Sequence, residues 1–317
     1  MRTRSWSRRT RARLAACVVV AGLTTLGVSS TGATMTASAT ASGTFTTRAA
    51  CSAGTGYPAA VVALNPTFYY RFGEAAGATT VADSSGNGND GIVRQSSPVG
   101  GVAGPVTFGA AGTGLIWCDG TDGMTSPGMP GALGSGSFVV WPTARPNLNT
   151  FTEMAWVRTT SGTGGRVIGM SSSTWAYDVH YDRQLVVDDA GHVRFEIYPG
   201  FRYTLTSTSV VNDGKPHFLV ATLGPAGAAL YVDGVREQDD PAQTTAETYT
   251  GNETVSPTGT GPATPNGQGY WRVGWDNISG WGATDFGLDG VVDEAALFEG
   301  TALTPAEVAN LWSTNHW

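Results

Sequence analysis

No acidic residue precedes Glu74, while Arg2, Arg4, Arg8, Arg9, Arg11 and Arg13 crowd the start of the chain. Nor does the apolar stretch Leu14 to Val28, broken by glycine and threonine, reach the roughly 20 residues needed to span a bilayer. Basic start, apolar middle and a small-residue exit at Ala37-Ser38-Ala39 or Ala39-Thr40-Ala41 give residues 1–39 the order of a secretory signal. A permanent membrane anchor is not expected, and the mature protein is expected to be secreted. Leu14-Ala15-Ala16-Cys17 spells a lipoprotein box but precedes the apolar run it should follow. Ser7-Arg8-Arg9 lacks the apolar residues that follow a twin-arginine signal, so the export route stays open.

Cysteine is scarce. Of three, Cys17 leaves with the signal, and Cys51 and Cys118 remain either as a disulfide, permitted outside the cell, or as separate thiols. Pairing them would contribute roughly 4 kcal/mol in the chain-entropy model. No second cysteine pair accompanies them, and four scattered histidines do not compose a zinc site. A Gly-x-Ser-x-Gly nucleophile turn is missing too. Removing six of the 18 basic residues with the signal leaves 12 against 25 acidic ones, a net charge near −13. That balance repels polyphosphates and disfavours nucleic-acid binding.

Residues 40–56 are Ser, Thr, Ala and Gly material with little to bury, which reads as a flexible lead-in. Residues 57–317 are long enough to form one domain burying about 70 to 75% of its unfolded surface. Nothing in the middle has a sustained 3.6-residue apolar period. Instead, short apolar or alternating runs alternate with Gly, Asn, Asp and Pro clusters, which predicts strands at Phe68–Phe72, Leu115–Cys118, Phe151–Arg158, Arg166–Met170, Ala176–Tyr181, His192–Tyr198, Tyr203–Ser207, His217–Leu223, Ala229–Val232, Tyr270–Val273 and Gly290–Phe298. Asp233-Gly234 accepts the positive φ angles of a two-residue hairpin turn. Thr304-Pro305-Ala306-Glu307 is a capping box that opens a helix to about Ser313, with Val308, Leu311 and Trp312 on one face to pack on the sandwich edge. Residues 237–268, rich in proline, threonine and glycine, read as a long surface insertion.

Three segments carry a family resemblance: Phe68-Tyr-Tyr-Arg-Phe-Gly-Glu74 followed by Asp83-Ser-Ser-Gly-Asn-Gly-Asn-Asp-Gly91, the hairpin Asn212 to Gly234, and Gly287-Leu-Asp-Gly-Val-Val-Asp-Glu-Ala-Ala-Leu-Phe298 running into the C-terminal helix. Together they resemble the laminin-G-like, concanavalin-A-like domains, although Pro216 stands where that family usually carries an aromatic. The resemblance implies an all-β fold, a two-sheet antiparallel jelly-roll sandwich with a short C-terminal helix. It also implies a structural calcium held by Glu74, Asp83, Asn87 or Asn89, and Asp293, through side chains or through backbone carbonyls. Without the resemblance, Asp83 and the asparagines read as caps of a tight turn.

Glycoside hydrolysis needs two carboxylates converging on one bond, and adjacent strand residues such as Asp293 and Glu294 point to opposite faces. No Glu-x-Asp-x-x-Glu strand of the jelly-roll glucanase kind occurs. Asp188-Asp189 and Asp239-Asp240 read as solvated turn or loop acids, and His217 as structural. Aromatics beside amides and carboxylates suit sugar rings. Trp275, Asp276, Asn277 and Trp281 form one such group, Trp175, Tyr177, His180 and Tyr181 a second, and Phe201 with Tyr203 a third; the plain alternative is that these aromatics bury large loops. The leading expectation is a non-catalytic module that recognises carbohydrate or a cell-surface protein, ahead of a glycoside hydrolase or polysaccharide lyase and of a structural subunit.

Overall fold

The computed structural model describes residues 56–75, 77–96, 107–108, 124–126, 136–174, 181–246, 268–278 and 280–314. The elements are α1 (Gly56–Ala63), β1 (Phe68–Tyr70), β2 (Thr80–Val81), β3 (Gly91–Ser96), β4 (Thr107–Phe108), β5 (Met124–Ser126), β6 (Gly136–Val140), β7 (Arg145–Pro146) and β8 (Phe151–Thr159). They continue with β9 (Gly165–Ser171), β10 (Tyr181–Val187), β11 (His192–Ile197), β12 (Tyr203–Val210), β13 (Pro216–Gly224), β14 (Gly227–Val232), β15 (Val235–Asp240), β16 (Gln268–Gly274), β17 (Gly290–Glu299) and α2 (Pro305–Thr314). The signal, the expected disulfide of Cys51 and Cys118, and the predicted strand Leu115–Cys118 lie outside the described residues.

Two antiparallel sheets form the expected all-β sandwich. The first runs β15-β14-β13-β8-β17-β5-β4, with β1 also on β17, and the second runs β12-β11-β10-β9-β16-β6-β3-β2, with β7 on β16. Between them lies the main core, which draws Phe151, Ala155, Leu219, Leu230 and Leu297 from the first sheet and Val139, Met170, Leu185, Phe195 and Trp271 from the second. Alternation explains the first set: Ala155 stands opposite Leu219, and their neighbours Met154 and Trp156 face the other way.

That other face of the first sheet is covered by both helices. Trp156 stacks on Phe218 with ring centroids 4.9 Å apart and on Trp312 at 5.2 Å, while Tyr57 meets both Trp156 and Phe218 edge-on. The predicted capping box forms, with Thr304 Oγ1 accepting from the Glu307 amide at 3.3 Å and Glu307 Oε2 accepting from the Thr304 amide at 2.7 Å. Val308 and Leu311 are buried as expected, but against the sheet face rather than an edge.

Several elements depart from the sequence reading. The described residues open with a helix, α1, whose Tyr57 is fully buried. Glu237–Asp240 belong to β15, paired with β14, so the expected insertion begins later and Asp239 and Asp240 are strand residues. β10 occupies Tyr181–Val187, and residues 176–180 of the strand predicted at Ala176–Tyr181 lie outside the described residues. The Asp233-Gly234 turn is as read, with φ of 53° and 77°. Gly234 is needed twice over, since a Cβ there would stand 2.7 Å from the Cβ of Trp312.

Candidate functional site

The outer face of the second sheet differs from that of the first. Its outward positions can be followed across the ladders: Arg94 stands opposite Phe138, Arg272 opposite Val140 and Gly169, Val186 opposite Arg166 and Arg194, and Gln184 opposite Glu196. Residues 275–278 and 280–289 fold back over this face. Trp275 stacks on Phe138 with centroids 6.1 Å apart, and Ile278, Trp281 and Phe286 join Val140, Val186 and Tyr270 in a separate apolar cluster.

A buried charge cluster fastens this flap. Asp276 lies 2.5 Å from Arg166 Nη1 and 3.2 Å from Arg272 Nη1, and it accepts a hydrogen bond from Ser171. All four side chains are buried. Two cations thus share one buried carboxylate, where removing a partner is far more costly than at the surface. Burial holds the Arg166 guanidinium below its usual range even though Asp276 opposes the shift.

The four residues of the first predicted ligand group are therefore brought together, but closed to solvent. Trp275 is 1% exposed and Trp281 6%, and Asp276 and Asn277 are buried as well. Stacking on a sugar needs an open ring face, and Phe138 already occupies that role for Trp275. In the second group, Trp175, Tyr177 and His180 lie outside the described residues, and Tyr181 enters through its backbone, which pairs with Ser171 at the start of β10.

The open aromatics are elsewhere, on the connection between β11 and β12. Phe201 is 58% exposed and Tyr198 40%. Beneath them, Glu196 Oε1 accepts from Arg202 Nη2 at 3.1 Å and from Arg194 Nη1 at 3.3 Å. Arg202 lies 4.7 Å over the Trp281 ring and donates to the Gly280 carbonyl, and Arg194 also reaches Asp188 at 3.1 Å. Hairpin and flap are thus laced into one corner. Burial pushes the Glu196 carboxyl up to about 7, although Arg202 and Arg194 oppose the shift. Asp182 ties the start of β10 to the same corner by accepting from the Tyr198 amide at 2.8 Å.

Sequence reasoning singled out Phe201 but not Tyr198, Arg194, Glu196 or Arg202. Its partner Tyr203 instead packs against the main core and donates to Asp240 at 2.9 Å. The missed signal was the two-residue alternation in His192-Val-Arg-Phe-Glu-Ile197, which sends Val193, Phe195 and Ile197 inward and Arg194 and Glu196 outward.

The residues expected to hold calcium do not assemble into a cage. Asp83 is saturated by protein donors: Oδ1 accepts from the Tyr69 and Ser85 amides, Oδ2 from Ser85 Oγ and the Asn89 amide, all within 2.9 Å. Asn87 and Asn89 spend their amide groups on the carbonyls of Pro66 and Thr67. Glu74 accepts from the Ala82 amide at 3.0 Å. Among the described residues no three His, Cys, Asp or Glu side chains are grouped to hold a metal. Asp83 and the asparagines thus form a hydrogen-bonded Asx turn, while the second carboxylate oxygen of Glu74 is buried without a protein partner.

Asp293 stands opposite Trp156 under the helices and accepts from the Glu294 amide. The register slips between Asp293 and Ala296, and Glu294 has φ of 51°, the mark of a bulge. The two acids therefore do not take opposite faces as a regular strand would place them. Both act on Tyr57, whose hydroxyl burial and then Glu294 and Asp293 hold well above its usual pKa. Glu294 also binds the Tyr69 hydroxyl and Arg71, which ties β1 and the residue after it to the sheet.

Residues 133–309, more than half of the chain, match the family described as the concanavalin A-like lectin/glucanases superfamily. The chain is a laminin-G-like member of that family. No curated protein matches it. Among solved structures, domain 4 of AbnA, a GH43 extracellular arabinanase from Geobacillus stearothermophilus, aligns at 17% identity and a TM-score of 0.49, over 78% of this chain and 98% of that one. The Trypanosoma rangeli sialidase in complex with sialic acid aligns at 16% and 0.43, over 78% of this chain and 33% of the sialidase, so the laminin-G-like domain spans about a third of that enzyme. A heptameric SAP-like pentraxin from Limulus polyphemus aligns at 12% and 0.38, over 61% and 80%. Among the described residues no helix is long and apolar enough to cross a membrane.

Proposed function

We propose that this laminin-G-like domain is an exported, non-catalytic carbohydrate-recognition module whose ligand surface is the corner formed by Tyr198, Phe201 and Arg202. The observation that carries this reading is the pair of solvent-open aromatic rings beside arginine donors, in a family whose description names lectins and glucanases. Flat rings cover the apolar faces of sugars, and charged donors orient their hydroxyl groups. A binding rather than hydrolytic role is supported by the state of the nearby acids. Glu196, Asp188 and Asp276 are each engaged by arginine, whereas a glycosidase needs one carboxylate free to give a proton and another free to attack or activate water. Export is supported by the order of residues 1–39.

Co-sedimentation of the purified mature protein with insoluble polysaccharides and cell walls tests the reading, with the same supernatants assayed for released sugar. Depletion without release is the expected result. Release of sugar would make the protein an enzyme, and no depletion on any polysaccharide would move the assignment to protein recognition.

A further inference from the structure

Among the described residues, Arg94, Arg166, Arg194, Arg202 and Arg272 lie on the outer side of the second sheet, where Asp188, Glu196 and Asp276 are engaged by arginines and Asp285 accepts from Thr163. At the corner the arginines are the more open partners. The Arg202 and Arg194 side chains are 38% and 25% exposed, whereas the Glu196 carboxylate they share is fully buried. On the neighbouring turn, Asp189 has both oxygens engaged by Thr284. Water at this corner therefore meets guanidinium N–H groups and aromatic rings, with the compensating carboxylate underneath. Deeper in the same face, Arg166 is fully buried with Nε and Nη2 unpartnered by protein.

Resting on the carbohydrate reading above, we propose that the ligand is an acidic polysaccharide, a uronic-acid polymer whose carboxylate pairs with Arg202 while a sugar ring stacks on Phe201. The planar guanidinium matches a carboxylate through two parallel hydrogen bonds, a geometry that a neutral hydroxyl does not reproduce. Arg202 is already held in place: Trp281 lies under its plane, Gly280 accepts from one of its nitrogens, and Glu196 from another. A side chain fixed before binding loses less freedom when the ligand arrives. Glu196, with its carboxyl pushed up to about 7, offsets the arginines only in part at neutral pH.

The test uses polygalacturonate and alginate, each as free acid and as its methyl or propylene glycol ester, with a neutral arabinan and a β-glucan beside them in affinity electrophoresis. Esterification removes the charge and keeps the sugar backbone. The proposal expects the free acids to retard the protein at least tenfold more strongly than their esters, and added salt to weaken that retardation. Arg202→Gln should abolish the difference and Arg202→Lys should keep part of it. Because Arg202→Gln also leaves Glu196 with one partner fewer, Phe201→Ala serves as the second variant; it alters an exposed ring and should lower retention with an unchanged melting midpoint. Equal retention by acid and ester, or retention by the neutral polymers alone, would overturn the acidic-ligand inference and leave the recognition module standing. Failure of every polysaccharide to retard the protein would remove both.

Discussion

The two sheets carry opposite coverings. Outside the first sheet, Tyr57, Trp156, Phe218 and Trp312 interlock beneath α1 and α2, and the face is closed by apolar packing. Outside the second, a flap is fastened by Asp276 between two buried arginines, and its far corner leaves Phe201 and Tyr198 in water. Apolar packing tolerates any orientation that fills space, whereas a charge cluster holds only when each group meets its partner. The first covering thus serves stability, and the second fixes a precise surface around an open one.

Variants in each region should separate these roles. The largest effect is expected from Trp156→Ala, which empties the centre of the helix-covered face and should cost about 3–5 kcal/mol in chemical denaturation. Helix loss seen by circular dichroism before global unfolding would sharpen the contrast. Next, Asp276→Ala leaves two buried arginines without their shared carboxylate and should cost about 3 kcal/mol or more. A loss below about 1 kcal/mol would show the flap to be held by Trp275 and its apolar neighbours instead, since that is the scale of an exposed ion pair.

Smaller effects are expected from titration. In His217, burial lowers the pKa, but the hydrogen bonds its ring makes to the Asp233 and Asp213 carboxylates, with their charge, outweigh it and the net shift is upward. A raised folded pKa means that this stabilisation is complete below the unfolded value, roughly 6.5, and is lost as pH rises through the folded value. Glu196 has the same sign: its folded carboxyl sits near 7, above the unfolded range, so it too favours folding less as pH rises from about 4.3. Urea midpoints should therefore fall between pH 5 and 8. Glu196→Gln and His217→Asn should each flatten that slope; a slope unchanged in both variants would contradict the assignment. Calcium should have no effect at all, because the Asp83 carboxylate is already saturated. Melting in calcium and in chelator should give the same midpoint, and a rise of several degrees with calcium would restore the ion expected from the sequence.

Much of the first region was legible in the sequence. The Asp233-Gly234 turn, the capping box at Thr304 and the alternation of Phe151 to Arg158 each depend on local chemistry that the letters carry. Less could be read of the second region, for physical reasons. Every residue of β9 is buried, so the two-residue alternation that reveals a half-exposed strand is absent there. Trp275 reads the same whether its ring meets Phe138 or a sugar. The extra residue at Glu294 shifts two carboxylates to one side without any glycine to announce it. α1 went unread because Gly56–Ala63 contains no residue contrast by which one face could be told from another. Arginines brought together from β9, β11 and β16 are adjacent only after folding.

The most direct test of the account is binding by the double variant Tyr198→Ala/Phe201→Ala, measured beside the unaltered protein on the polysaccharide that the latter sediments with. The account predicts that binding is lost while the melting midpoint moves by no more than a degree or two, as expected for exposed side chains within about 0.5 kcal/mol of neutral. Full binding by the double variant would contradict it and place the ligand surface elsewhere on the domain.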